Sequence, residues 1–315
     1  PSHHDRLAEV AAGWPPAIPD DGRGYRRWPA AEATPIAALD LTGDRQSALV
    51  VARRDGDHAA LPLVRETTGW RLAEAGDGMA NALLRRIAAG DATRDAAGAG
   101  FVLAQELGFL QPEPTERALV ADQSNHTLVV GEQLLVKWRT AFDADGQRST
   151  LLRRHLRAVG YEGVPPLLAT VEWHDATGTP VSLADVDAYL PDAIDGWDLC
   201  IAALRADLEG APASRISMDA LPSTLGQMTA ALHLALSRPS EHIAEPTRAA
   251  RRATVDAWAV RARAAVMRAI AIDAPVQPDV AERGTALLHD VASLDAVRTT
   301  EVQLTHGDLH LGQLV

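Results

Sequence analysis

Apolar positions change period along this chain, and the changes divide it into stretches of different character. Short apolar runs over 35–41, 47–51 and 60–64 predict strands. Residues 79–89 carry Leu83, Leu84 and Ile87 at helical spacing, and a second helical stretch is expected around 101–107. Residues 1–33 are rich in Pro, Gly and Asp and read as irregular. A meander follows, with strands over 117–121, 126–130 and 133–138. Residues 147–159 predict a helix that Gly160 ends, and 167–173 and 186–190 predict two more strands. From Asp195, a suitable helix cap, the pattern is mostly helical: a helix through Leu204, then 221–236, 248–272 and 280–297. A short strand at 302–304 leads into a polar loop.

Composition narrows the picture. The 315 residues are 47% hydrophobic and 23% charged, the balance of a folded globular chain. A formal charge of −12 repels phosphate backbones and acidic lipid, so nucleic acid and membrane surfaces are poor partners. No run approaches the roughly 18 apolar residues a spanning helix needs. The N-terminus lacks the basic start and apolar run of a signal peptide. The single cysteine, Cys200, fits a reducing cytosol, so a cytoplasmic protein is expected.

The basic residues are uneven. Of 30, 29 are Arg and one, Lys137, is Lys. An ammonium is a compact point charge and a guanidinium a flat fork, and some sites accept only the former. A second feature lies in Thr305-His306-Gly307-Asp308-Leu309-His310-Leu311-Gly312-Gln313. A strand runs into Asp308, and an amide follows five positions later. Phosphoryl transfer to a hydroxyl uses such a spacing: a carboxylate orients the hydroxyl and takes its proton, and an amide helps hold magnesium on the phosphates. Asp143-Ala144-Asp145 and Asp185-Val186-Asp187 resemble metal-binding pairs of glycosyltransferases, but read better as solvated loops. The 11 histidines show no zinc-like spacing. Trp173, Trp197 and Trp258 are expected in the core.

The string from His306 to Gln313 resembles the catalytic loop of the maltokinase-like branch of the aminoglycoside phosphotransferase-type kinases. Four other stretches are similar to that branch, in the same order. Asp122-Gln123-Ser124-Asn125-His126-Thr127 resembles its phosphate-covering turn, and Leu134-Leu135-Val136-Lys137 its phosphate-binding strand. Gly163-Val164-Pro165-Pro166 resembles the connection after the first lobe helix, and Ala188-Tyr189-Leu190-Pro191 the hinge. The resemblance covers 118–315. It implies an α+β fold of protein-kinase type, with a β-rich N-lobe and a helical C-lobe. A small α+β cap over 1–110 precedes the N-lobe and hinge (111–190) and the helical lobe (191–315).

The resemblance also implies roles. ATP and Mg2+ are the expected cofactors. Lys137 would pair with the α- and β-phosphates, and Ser124 and Asn125 would donate to the β- and γ-phosphates. Ala188, Tyr189 and Leu190 would meet the adenine edge. Asp308 would be the catalytic base, Gln313 a magnesium ligand, and His306 and His310, with Asp308, would lie beside the acceptor. Two departures stand out. Kinases of this architecture pair the lysine with a helix Glu, yet Leu151 occupies that position and no acid lies between Gly146 and Gly160. Lys137 must then be held by another acid or otherwise. The family also continues with an Asp-x-Glu or Asp-x-Asp strand that binds magnesium, and none follows Gln313, so a longer chain is expected. The N-terminal Gly24-Tyr25-Arg26-Arg27-Trp28-Pro29 departs from the maltokinase signature and looks more like actinobacterial glucosamine kinases. The expected activity is therefore phosphorylation of glucosamine to glucosamine 6-phosphate, by a monomer or weak homodimer. Maltose is the alternative acceptor. An aminoglycoside phosphotransferase and a pseudokinase-like binding module are the other readings.

Overall fold

A computed structural model describes residues 3–17, 32–43, 45–55, 57–90, 92–94, 99–108, 115–119, 126–139, 148–212, 216–273, 279–296, 301–307 and 309–315. The chain divides into two compact units, Pro1–Leu221 with His310–Val315, and Pro222–Leu309. The fold is mixed α+β.

The first unit begins with α1 (His3–Ala12). This helix lies where an irregular segment is expected. Val10, and Leu7 one turn back, pack on a sheet face, a spacing that the prolines and glycines of the following segment obscure. The sheet is an antiparallel meander of β1 (Thr34–Asp40), β2 (Ser47–Arg54), β3 (Asp57–Glu66) and β4 (Gly69–Leu72). Val10 meets Ala38, Val50, Leu61 and Trp70 on one face of it. The opposite face, with Leu39, Leu49 and Val51, packs on α2 (Met79–Ala88). Both faces of β2 are thus covered, which explains its unbroken apolar run from Ala48 to Ala52.

The second sheet holds β5 (Ala92–Arg94), β6 (Gly100–Gln105), β7 (Glu116–Ala118), β8 (His126–Val130), β9 (Leu134–Trp138), β10 (Leu167–His174) and β11 (Pro180–Ala188). Their spatial order is β5-β6-β10-β11-β9-β8-β7, with every neighbour antiparallel. It therefore takes strands from both sides of residue 110. The helix expected over 101–107 is strand β6. Phe101 and Leu103 point inward while Val102 and Ala104 are half-buried, a period of two rather than 3.6. One sheet face joins the α2 core through Phe101, Leu128, Val136, Trp138, Val171 and Val186. The other face is polar and lies under α3 (Arg148–Ala158), which Gly160 follows at φ 75°.

The helix α4 (Gly196–Glu209) is capped as expected, with Asp195 accepting from the Trp197 N–H at 2.8 Å. In the second unit α5 (Leu221–Leu236) precedes β12 (Thr247–Ala249), α6 (Arg252–Asp273), α7 (Asp279–Ala292) and β13 (Glu301–Gln303). The helix expected from 248 starts later because Thr247–Ala249 pairs with β13. A Cβ on Gly284 would lie 2.4 Å from Ile270, so α6 and α7 approach closely there.

Candidate functional site

Lys137 sits on β9, whose Leu134, Val136 and Trp138 are buried in the core. Alternation sends Lys137 to the opposite face, under α3. Its register partner on β11 is Asp185, which is in turn the partner of Thr170 on β10. Asp187 lies two positions farther along the same face.

These acids are not in a solvated loop. Asp185 and Asp187 are only 1% and 2% exposed, which corrects that expectation. Asp185 is taken by two guanidiniums: Arg139, one position past β9, and Arg153 from α3 at 2.6 Å. Arg153 also pairs with Asp187 through its other nitrogen. Lys137 Nζ reaches diagonally to Asp187 Oδ2 at 3.0 Å, and its side chain keeps a third of its surface in solvent. The acid holding Lys137 therefore comes from strand β11, and the helix contributes an arginine. The signal was in the sequence: Asp185 and Asp187 share one strand face, and α3 has arginines at 153, 154 and 157 but no acid. A row of polar contacts continues beyond. Arg154 Nε bonds Glu106 at 2.8 Å; burial lowers the Arg154 pKa, but the Glu106 hydrogen bond together with the charges of Glu106 and Glu172 outweighs it, for a net rise.

In the 188–191 stretch expected to be a hinge, Ala188 N–H donates to the Pro166 carbonyl at 3.0 Å and Tyr189 N–H to the Gln133 carbonyl at 2.8 Å. Two of the amides expected at the adenine edge thus have backbone partners within the fold. The Arg117 guanidinium lies 5.3 Å from the Tyr189 ring centroid and bonds Glu132, tying β7 to the residue after β11.

The end of the His306–Gln313 string packs on the start of α4. Gly196 N–H donates to the Leu314 carbonyl at 3.0 Å, and a Cβ on Gly196 would lie 2.4 Å from the Leu311 carbonyl. The string and the start of α4, more than a hundred positions apart, meet where only glycine fits. His310 Nδ1 accepts from Gly312 N–H at 3.1 Å, and Gln313 Nε2 lies 3.5 Å from His310 Nε2. The amide nitrogen of Gln313 is turned to His310, which leaves its oxygen as the atom to offer a cation. His306 is exposed and belongs to the other unit. Ser124, Asn125, Asp308, Asp143 and Asp145 lie outside the described residues. Trp197 and Trp258 are 53% and 38% exposed, against the expectation that they are core. Among the described residues no three His, Cys, Asp or Glu side chains converge as metal ligands, and no helix is long and apolar enough to cross a membrane.

No family model matches the chain. Relatives do. It is 34% identical over 306 residues to a glucosamine kinase of Streptacidiphilus jiangxiensis, covering 93% of this chain and 66% of that protein. The chain thus spans just under two thirds of the length of that curated relative. Its backbone matches a glucosamine kinase solved with glucosamine, ADP and inorganic phosphate, at TM-score 0.70 and 29% identity, covering 98% of this chain and 68% of that one. It matches another glucosamine kinase crystal structure at TM-score 0.71 and 30% identity, again covering 98% and 68%. In sequence and in backbone, the chain belongs to the glucosamine kinase family.

Proposed function

We propose that this protein is an ATP-dependent glucosamine kinase that transfers the γ-phosphate to the 6-hydroxyl, giving glucosamine 6-phosphate and ADP. The observation that carries the reading is the likeness, over 98% of the chain, to a kinase solved with glucosamine, ADP and phosphate. The reading divides the chain as a kinase: cap over 1–110, β-rich lobe and hinge over 111–190, helical lobe over 191–315. It works as a cytoplasmic monomer or weak homodimer.

In this reading Lys137 binds the α- and β-phosphates with the exposed side of its ammonium, while Asp187 fixes the other. Ser124 and Asn125 donate to the outer phosphates, and the Ala188–Leu190 segment borders the adenine. Asp308 accepts the proton of the sugar hydroxyl as its oxygen bonds to phosphorus and the bond to ADP breaks. His306 and His310 flank the acceptor. Magnesium, when bound, neutralises charge on the phosphates, and the Gln313 amide oxygen is available to hold it. A net charge of −12 favours an ammonium-bearing sugar over an anionic one. Purified protein with ATP and Mg2+ is assayed against glucosamine, maltose and an aminoglycoside. Turnover of glucosamine is expected; turnover of maltose alone overturns the reading.

A further inference from the structure

We infer that Asp187 is the positioning residue for Lys137, and that Arg153 on α3 clamps Asp187 in place. Together they form a charge-inverted substitute for an acid on the helix. This rests on the reading of Lys137 as the phosphate ligand and deepens it.

Three observations lead here. First, α3 carries no acid, so nothing on that helix can pair with Lys137 directly. Second, Asp185, the register partner of Lys137, is already shared by Arg139 and Arg153, and Lys137 turns to Asp187 instead. Third, Arg153 spans both carboxylates, one nitrogen on each. A planar fork can bridge two acids; an ammonium cannot do so with fixed geometry. The helix therefore sets the position of Asp187 through a guanidinium, and Asp187 sets the position of the ammonium. Charge counting supports a role in binding anions. Lys137, Arg139 and Arg153 face two carboxylates, leaving one net formal positive charge. Arg139 and Arg153 side chains are 20% and 17% exposed and Lys137 33%, so Lys137 is the most open of the three cations to an incoming phosphate.

The test is a double-mutant cycle on the intact protein, read as ADP affinity by calorimetry and as KM for ATP and for glucosamine. Asp187→Asn should weaken ADP binding and raise the KM for ATP about tenfold or more, with the KM for glucosamine unchanged. In a Lys137→Met background the same substitution should change ADP affinity less than about twofold, because its target is gone. Arg153→Met should act in the same direction as Asp187→Asn, and less strongly. Asp187→Glu, which keeps the charge, should recover most of the loss. A purely structural role predicts equal losses with and without Lys137 and a rise in both KM values. That pattern overturns the inference, as does an Asp187→Asn protein that binds ADP like wild type. Should Asp187→Asn not fold, Arg153→Met carries the same cycle, and additivity with Lys137→Met overturns the inference there too. A Lys137→Met protein with unchanged ADP affinity sinks instead the reading of Lys137 itself.

Discussion

The sheet-rich first unit and the helical second unit bury their apolar side chains very differently. In the first, β2, β3 and α2 contribute side chains that are almost wholly excluded from water, from Leu49 and Val51 to Leu83 and Ile87. In the second, few residues reach that state: Leu232, Ala235, Leu236, Val255 and Ala259 are buried, while Leu234, Val260, Met267, Ile272 and Leu287 are more than half exposed. The first unit is held by a continuous core over two sheets and a helix. The second is held by local contacts such as the crossing of α6 and α7 at Gly284. Stability should therefore respond strongly to truncations in the first unit and weakly in the second, while activity should follow charge at named side chains in either.

The largest effect breaks activity without touching the core. Asp308→Asn should lower kcat by about 10²–10⁴-fold, with a melting temperature close to wild type. Lys137→Arg should lose most activity as well, since a longer planar cation changes the distance to the phosphates. Second comes the contrast in burial. Trp138→Ala in the first core should cost about 3–5 kcal/mol in denaturant unfolding, and Leu232→Ala in the second unit nearer 2 kcal/mol. Equal losses would erase the distinction between the units. Third is a response to pH. Burial raises the Asp77 carboxyl, but hydrogen bonds from Arg71 and the Glu74 N–H and the charges of Arg71 and Arg45 outweigh it, leaving its pKa below the ordinary value. Its contribution is present above about pH 3.9 and lost as pH falls through the lower folded value. His126 is lowered by burial, against a hydrogen bond to the Ala73 backbone. Its contribution is complete above about pH 6.5 and declines as pH falls toward the folded value. Asp77→Asn should flatten the most acidic part of the stability curve, and His126→Gln the part just below neutrality. The smallest effect is at Glu132, which pairs with Arg117 at the surface. Glu132→Gln should leave the melting temperature unchanged in physiological salt.

Much of this was legible in the sequence. The three early strands, α2, the meander of β8 and β9, α3 with its glycine stop and the Asp195 cap follow from local periodicity and capping. Strand β6 and helix α1 depart from the local pattern for one reason: long-range packing sets them. Strand β6 has too few residues to separate a period of two from one of 3.6, and its identity is set by pairing with β10, far along the chain. The helix α1 is stabilised by Val10 meeting β-strand residues that local pattern does not reveal. At the site, its being the solitary lysine marks Lys137, but by local pattern its partner Asp187 reads as a loop acid. The shared strand face of Asp185 and Asp187 is readable in the sequence, but which of them holds Lys137 follows only once β11 lies beside β9 and Arg139 and Arg153 occupy Asp185. The buried fork of Arg153 was equally hidden, since an arginine on an amphipathic helix is ordinarily a solvated one.

The most direct measurement is a ³¹P NMR time course of the intact protein with ATP, Mg2+ and glucosamine. A phosphomonoester signal coupled to the two protons at C6 of the sugar, growing in step with ADP, is the predicted result. Phosphate released at the same rate without sugar, or a phosphate ester formed only when maltose is supplied, would contradict it.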